Sequence, residues 1–144
     1  MPNQIQKLPE TQHRLKELSF NFGEDPFCSS MKLQTLQRGV AIVSMTVDEK
    51  IITKEGFANG GSLVELADAA GVYAAMSCIE TGHTKLTDVS MQFRRPARKG
   101  AELIAISHVK EESRQFIWVV AEIREDETNK LIAFGSLKFI KPRE

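Results

Sequence analysis

Cysteine, tryptophan, tyrosine and histidine are all scarce in this 144-residue chain: two, one, one and three. Cys28 and Cys78 lie far apart, which excludes a disulfide framework and a zinc site of short ligand spacing. His13, His83 and His108 are scattered and show no metal-ligand pattern. Charge of either sign is not in excess, with Lys+Arg and Asp+Glu at 19 each. Nucleic acid demands a basic surplus and is therefore not the main partner. The most apolar stretch, Leu66 to Ile79, is too short to span a bilayer and contains Asp68. The polar opening MPNQIQKLPETQ lacks the apolar centre of a signal peptide. The expectation is a soluble, cytoplasmic protein that binds no membrane. Repeats, low-complexity tracts and Pro/Gly linkers are absent, and no glycine-rich phosphate fingerprint follows a strand.

What is present is an ordinary globular composition, 42% apolar and 26% charged, enough for one folded domain over residues 1–144. Leu8, Leu15 and Leu18 among charged residues predict a short amphipathic helix with Thr11 as its cap. Phe20, Phe22 and Phe27, around Gly23 and Pro26, predict an apolar lid or a second helical turn. This N-terminal helical segment runs from Pro9 to about Ser30. The period then changes. Met31, Leu33 and Leu36 precede Arg38-Gly39, a hairpin turn, and Val43, Met45 and Val47 alternate with polar residues as a strand does.

One long helix follows, from Ser62 to Ile79, opened by Gly60-Gly61 with Ser62 able to cap it. Four strands come after it. Thr87, Val89, Met91 and Phe93 alternate, and Pro96 ends their strand. Ala101–Val109, Phe116–Ile123 and Leu131–Ile140 are the others, with a polar turn at Glu125 to Asn129. The order is α+β with an antiparallel sheet of about six strands. Trp118 and Phe116 read as core or interface residues, and Cys78 as a buried, inert thiol.

The long helix is apolar nearly all round, so it is buried on more than one face, within a curved sheet and against a partner subunit. Asp68 interrupts it, flanked by Val64, Gly71, Val72 and Ala75. A carboxylate there is costly unless paired or turned to a cavity, and that marks a site. The bland reading is exposure at the helix rim. Glu65, one turn earlier, suits a solvated acid near the positive end of the helix dipole. Gly60 and Gly61 set bare N–H groups at the helix N-terminus, donors for a carbonyl or a developing oxyanion. Their bland reading is a tight turn with positive φ.

NGGSLVELADAAG resembles the helix-opening motif of hotdog-fold acyl-CoA thioesterases of the phenylacetate-degradation and hydroxybenzoyl-CoA thioesterase type. There the motif reads His-Gly-Gly, then apolar residues, then an acid in mid-helix. VSMQFRRPARKG and GSLKFI resemble two further strands of that family, and the likeness spans roughly Met31 to Pro142. It implies an obligate homodimer, often paired into a tetramer, with acyl-CoA bound at the dimer interface and no cofactor. It puts Asp68 on the catalytic carboxylate, as nucleophile or general base, and the N–H of Gly60 or Gly61 on the thioester carbonyl. Asn59 replaces the family's His; it donates a hydrogen bond but carries no proton. The family's water-holding Ser or Thr falls near Leu86, with Thr87 next door, although the alternation makes Thr87 core-facing. Arg94, Arg95, Arg98 and Lys99 form the only dense basic run, and the resemblance puts it near the CoA phosphates.

These readings imply a thioesterase that hydrolyses a fatty or aryl acyl-CoA, with Asp68, Asn59 and Gly60 as catalytic residues. Gly61, Thr87, Arg94, Arg95 and Lys99 are its substrate-binding residues. The alternative is a non-catalytic hotdog module that binds acyl-CoA or an acyl-carrier protein, a reading favoured by Asn59. An acyl dehydratase of this fold needs a catalytic His, and none stands in or just before the helix.

Overall fold

Two hydrophobic periods, one helical and one of strands, divide the chain into a long helix and the sheet that holds it. The computed structural model describes residues 9–143. In chain order the elements are α1 (Pro9–Asn21), single 3₁₀ turns at Phe22–Glu24 and Pro26–Cys28, β1 (Met31–Gln37) and β2 (Val40–Thr46). A 3₁₀ turn at Glu49–Ile51 and α2 (Gly60–Met76) follow, then β3 (Lys85–Phe93), β4 (Glu102–Glu112), β5 (Phe116–Glu125) and β6 (Leu131–Ile140). The six strands form one antiparallel sheet in the order β1-β2-β4-β5-β6-β3. The α+β hotdog arrangement expected from the sequence is therefore present, a long helix held by a curved antiparallel sheet.

The helix lies against β2, β4 and β5. Leu63, Leu66, Ala67, Ala70 and Ala74 are buried there, opposite Ala41, Val43, Leu103, Ala105, Val119 and Ile123. Small residues at 67, 70 and 74 let the helix backbone approach the sheet. Ser107 Oγ ties the two layers, donating to the carbonyls of Ala70 (2.7 Å) and Ala41 (3.2 Å). Gly71 faces Phe139, and a Cβ there would lie 3.4 Å from the ring.

α1 begins at Pro9, so Thr11 stands inside the helix rather than ahead of it; Pro is well suited to a first turn because its missing N–H has no helical partner there. Leu8 and the Phe27 side chain lie outside what is described. Leu18 and Phe22 are buried, and Phe20 is exposed. Arg14 is buried and fastens α1 to the far end of α2. Its Nε donates to the Met76 carbonyl (3.3 Å) and a terminal nitrogen donates to the Gly82 carbonyl. A cation at a helix C-terminus also complements the dipole. Residues 9–28 thus form a strap across the outer side of α2.

Gly39 takes the β1–β2 turn with φ 81°, and Asn129 takes the β5–β6 turn with φ 59°. α2 is shifted from the expected Ser62–Ile79, because Asn59 and not Ser62 caps it. Strand β4 runs past Val109 to Glu112 through a bulge at Lys110.

Candidate active site

The first turn of α2 is held from behind. Asn59 is extended (φ −73°, ψ 152°), and its Oδ1 accepts from the Ser62 N–H at 2.9 Å. Its Nδ2 and its backbone N–H both donate to the Ile51 carbonyl, at 2.9 and 2.8 Å. Asn is among the best N-caps, and it sits three residues ahead of the donor it satisfies. Leu63 N–H reaches the Asn59 carbonyl at 3.4 Å. Among the described residues, that leaves the Gly60 and Gly61 N–H groups as the first-turn donors with no partner.

Neither glycine has positive φ; that conformation falls to Gly39, Gly56, Gly82 and Gly100. The tight-turn reading of Gly60-Gly61 is therefore excluded. Their missing side chains leave space instead. A Cβ on Gly60 would lie 3.5 Å from Phe93 Cζ, and one on Gly61 would lie 3.4 Å from Asn59 Oδ1.

Asp68 lies two turns further along α2, half-buried between the half-buried Val64 and Val72. Gly71 and Ala75, expected on the same face, turn into the core. Asp68 accepts no hydrogen bond among the described residues. Burial, and behind it the negative charges of Asp25 and Glu65, raises its carboxyl above the ordinary 3.8. Desolvation is the leading cause, as expected of a carboxylate in an apolar setting. Glu65 is exposed one turn away.

Three neighbours escaped the sequence reading. The Tyr73 hydroxyl donates to Asp25 Oδ2 at 3.4 Å, and its ring packs on Phe22 at 4.9 Å between centroids. Cys28 is buried beside them, its thiol pushed up to about 12 by burial and then by Asp25 and Asp68. Burial also raises the Tyr73 hydroxyl. The one available signal was Asp25 between the phenylalanines of an expected lid, where the apolar pattern drew the reading.

Thr87 is not core-facing. Leu86 pairs with Phe139 and Asp88 with Lys138, so Thr87 is the extra residue of a bulge. It is exposed, and its Oγ1 lies 3.1 Å from the Lys138 carbonyl, to which it donates, and 3.0 Å from Asp88 Oδ2. The bulge shifts the alternation, so Leu86, Val89 and Phe93 share the inner face with Phe139, Leu137 and Ala133. Yet those three are 40%, 42% and 51% exposed, because β3 is an edge strand.

The basic run does not converge. Lys99 pairs with Glu49 at 2.6 Å, Arg95 donates to the Leu131 carbonyl at 3.1 Å, and Arg98 stacks over Phe57. Arg94 borders a cavity of about 480 Å³ with Ile106, His108, Val120, Glu122 and Phe134. Trp118 is not core either; it is 47% exposed. Its pairing with Lys138 sets it on the sheet's outer face. Cys78 is half-buried just past α2 rather than sealed inside it.

The family model of the thioesterase superfamily matches residues 55–132, the segment that holds the Gly60-Gly61 turn, Asp68 and β3. The chain belongs to the thioesterase superfamily. Its activity class is therefore thioester hydrolysis. No curated protein matches the sequence. Among solved structures it is similar to a mutant of the phenylacetic acid degradation protein PaaI from Thermus thermophilus. That match has 27% identity and a TM-score of 0.76, over 82% of this chain and 100% of that one. The E. coli PaaI protein from the phenylacetic acid degradation operon superposes with a TM-score of 0.83 at 24% identity, over 91% and 95% of the two chains. The smu.793 protein of Streptococcus mutans UA159, solved bound to acetyl CoA, gives a TM-score of 0.73 at 16% identity, over 79% and 90%. The last two likenesses show the hotdog fold alone.

Proposed function

We propose that this superfamily member hydrolyses a fatty or aryl acyl-CoA to the free acid and CoA, at a site shared between two copies of the chain. The observation that carries this reading is the pair of open N–H groups at Gly60 and Gly61, on the same helix as a half-buried carboxylate with no hydrogen-bond partner among the described residues. In this mechanism the N–H pair takes the thioester carbonyl oxygen and stabilises the oxyanion that develops on it. Asp68 draws a proton from water as the water oxygen attacks the carbonyl carbon. The C–S bond then breaks and the proton passes to the departing CoA sulfur. Direct attack by Asp68, with hydrolysis of the resulting anhydride, uses the same groups.

The spacing supports two copies. Gly61 and Asp68 are seven residues apart on one helix, which is about 10 Å along the axis at about 1.5 Å per residue. A carbonyl carbon and its oxygen need both groups within hydrogen-bond reach of about 3 Å. A second copy, docked along the exposed apolar row of β3, brings its own helix N-terminus toward Asp68. The bare β3 edge and Leu86, Val89 and Phe93 are the surface it would cover. The half-buried outer-face residues Ile106, Val120 and Phe134, with Trp118, suit pairing of two such dimers into a tetramer.

Acyl-CoA as substrate is supported by the acetyl CoA held by the S. mutans structure and by the PaaI likeness. Of the basic run, Arg94 is the side chain with no partner among the described residues, and we assign it first to a CoA phosphate, ahead of Arg95 and Lys99, which are engaged with the Leu131 carbonyl and Glu49. Two free cysteines fit a reducing, cytoplasmic setting, and no described helix is long and apolar enough to cross a membrane.

Thiol release across an acyl-CoA panel tests the reading. Wild type should turn over, and Asp68→Ala should lose about a hundredfold or more, the scale of a general base. The second reading, a binding module, is favoured by Asn59, whose carboxamide serves the cap and the Ile51 carbonyl. Acyl-CoA binding without hydrolysis in wild type would establish it.

A further inference from the structure

Three segments far apart in sequence meet at one end of the sheet. Ile140 pairs with Lys85 on one side and Phe116 on the other, and the Lys141 N–H donates to the Gln115 carbonyl at 2.8 Å. Three adjoining cavities open there, and all share Lys141, Pro142 and Arg143. The largest, about 560 Å³, reaches Cys78, Glu80 and Glu112. The second, about 530 Å³, is bordered by His83 and Lys85, and the third, about 230 Å³, by Arg114 and Gln115. The first two have the volume of small-molecule sites. Their charge is one-sided. Glu112 is engaged by Lys141 at 2.7 Å and Arg38 at 3.9 Å. Glu80 borders only the largest cavity, and no acid borders the other two. The side chains of Lys85, Arg114 and Arg143 have no ion pair or hydrogen-bond partner among the described residues. The run from Arg94 to Lys99 is adjacent in sequence and diverges in space; this cluster is scattered in sequence and converges.

We infer that this groove is a phosphate subsite for the nucleotide end of acyl-CoA, with Arg143, Arg114 and Lys85 as its cations. The inference rests on the reading of the chain as an acyl-CoA thioesterase whose site is shared between two copies. Two sheet edges related by a two-fold axis perpendicular to the sheet run antiparallel. Full overlap of Lys85–Phe93 with its copy then sets Lys85 beside the second copy's Phe93. Phe93 is the ring that packs over Gly60, 3.5 Å from a Cβ position. On that pairing the groove of one copy opens beside the N–H pair of the other, where the thioester is proposed to sit. Arg143 and Arg114 follow at the ends of β6 and β5, about 5 and 10 Å from β3 at about 4.8 Å per strand. The flexible pantetheine arm separates the reacting sulfur from the phosphates over such a distance. The second copy's Arg94, next in the chain after Phe93, comes to the same end. CoA carries phosphate at two places, the diphosphate and the ribose 3′-phosphate, so the groove and Arg94 serve one ligand. Arginine's planar fork suits such oxygens. Concave cavities of this size fit a compact phosphate ligand better than the broad acidic face of a carrier protein.

The test compares acyl-CoA with the same acyl group on pantetheine, which lacks the nucleotide and every phosphate. It uses wild type, Lys85→Gln, Arg114→Gln, Arg143→Gln and the double variant Arg114→Gln/Arg143→Gln. All three side chains are exposed, so the variants should fold with unchanged Tm. Each single change should raise KM for acyl-CoA about threefold and the double change about tenfold, the scale of exposed charge contacts, with kcat unchanged. KM for acyl-pantetheine should not move. Added salt should raise the acyl-CoA KM of wild type more than that of the double variant. An unchanged acyl-CoA KM in the folded double variant, or an equal rise on both substrates, overturns the inference. So does a loss confined to an acyl-carrier protein substrate, which would assign the groove to an acidic protein. Where wild type hydrolyses neither thioester, the thioesterase reading falls, and calorimetry with adenosine 3′,5′-bisphosphate decides the groove on its own. Binding by wild type that the double variant loses supports the subsite; no binding by wild type overturns it.

Discussion

The Phe93 ring roofs Gly60, with only enough room for a methyl group between them, 3.5 Å from a Cβ position to Cζ. That is ordinary van der Waals contact, and Ala is the better helix former by about 1 kcal/mol. Gly60→Ala should therefore fold with an unchanged or higher Tm. On the proposed mechanism the methyl would nevertheless stand where the thioester carbonyl approaches the two open N–H groups. Removal of one oxyanion donor costs about 10²–10³ in kcat, and partial obstruction should cost about tenfold or more. Thermal melting and thiol-release assays on the same preparation separate the two effects.

Gly135 is a different kind of glycine. A Cβ there would fall 2.0 Å from the Ser90 carbonyl oxygen and 2.8 Å from Met91 Cα, both backbone atoms of the neighbouring edge strand. Neither can swing aside. Gly135→Ala should cost about 3 kcal/mol or more, at or beyond the upper end of overpacking effects. If the proposed pairing of two copies along β3 holds, size-exclusion chromatography should also show loss of that dimer, because the strand displaced is β3.

The Asp68 carboxyl is raised by burial, so the folded state holds its proton more tightly than the unfolded chain does. Between the ordinary 3.8 and the raised folded value, the folded state binds more protons and stability falls as pH rises. Above that window the penalty is constant; below 3.8 it vanishes. Asp68→Asn should therefore raise stability at neutral pH, and the gain should shrink to nothing as the pH is lowered through the window. Urea unfolding of both proteins at a series of pH values reads this directly. An equal gain at every pH would point to packing instead.

Arg14 donates to two carbonyls from a buried position. Arg14→Met keeps the stem and removes both bonds, leaving the Met76 and Gly82 carbonyls without this donor. Hydrogen bonds to charged groups contribute about 1.5–3 kcal/mol each, so a loss of about 3 kcal/mol in urea unfolding is expected. Limited proteolysis should cut first within residues 9–28 of the variant.

The fold was legible because its signals are local. Alternation in Val43, Met45 and Val47 and the apolar run from Leu66 gave the strand and helix, and Arg38-Gly39 gave the first turn. The misses are failures of locality. The bulge at Thr87 puts Leu86 in its place on the inner face with Val89 and Phe93, and nothing in the strand's own pattern announces an extra residue. The Asn59 cap outranks Ser62 because its second partner, the Ile51 carbonyl, is remote in sequence. The basic run looked like one patch because its residues are adjacent, whereas Glu49, Phe57 and the Leu131 carbonyl draw them apart. Asp25 was hidden because its partner Tyr73 lies 48 residues further along the chain.

Strand β3 is synthesised third but enters the sheet only beside β6, the last strand made. A ribosome must therefore deliver Leu131–Ile140 before residues 85–93 have a neighbour to pair with. Such long-range pairing is slow and exposes unpaired edges while it waits. On the proposed two-copy site, the β3 edge that a second copy would meet forms only once the final strand has been made, so a product truncated before β6 should lack it.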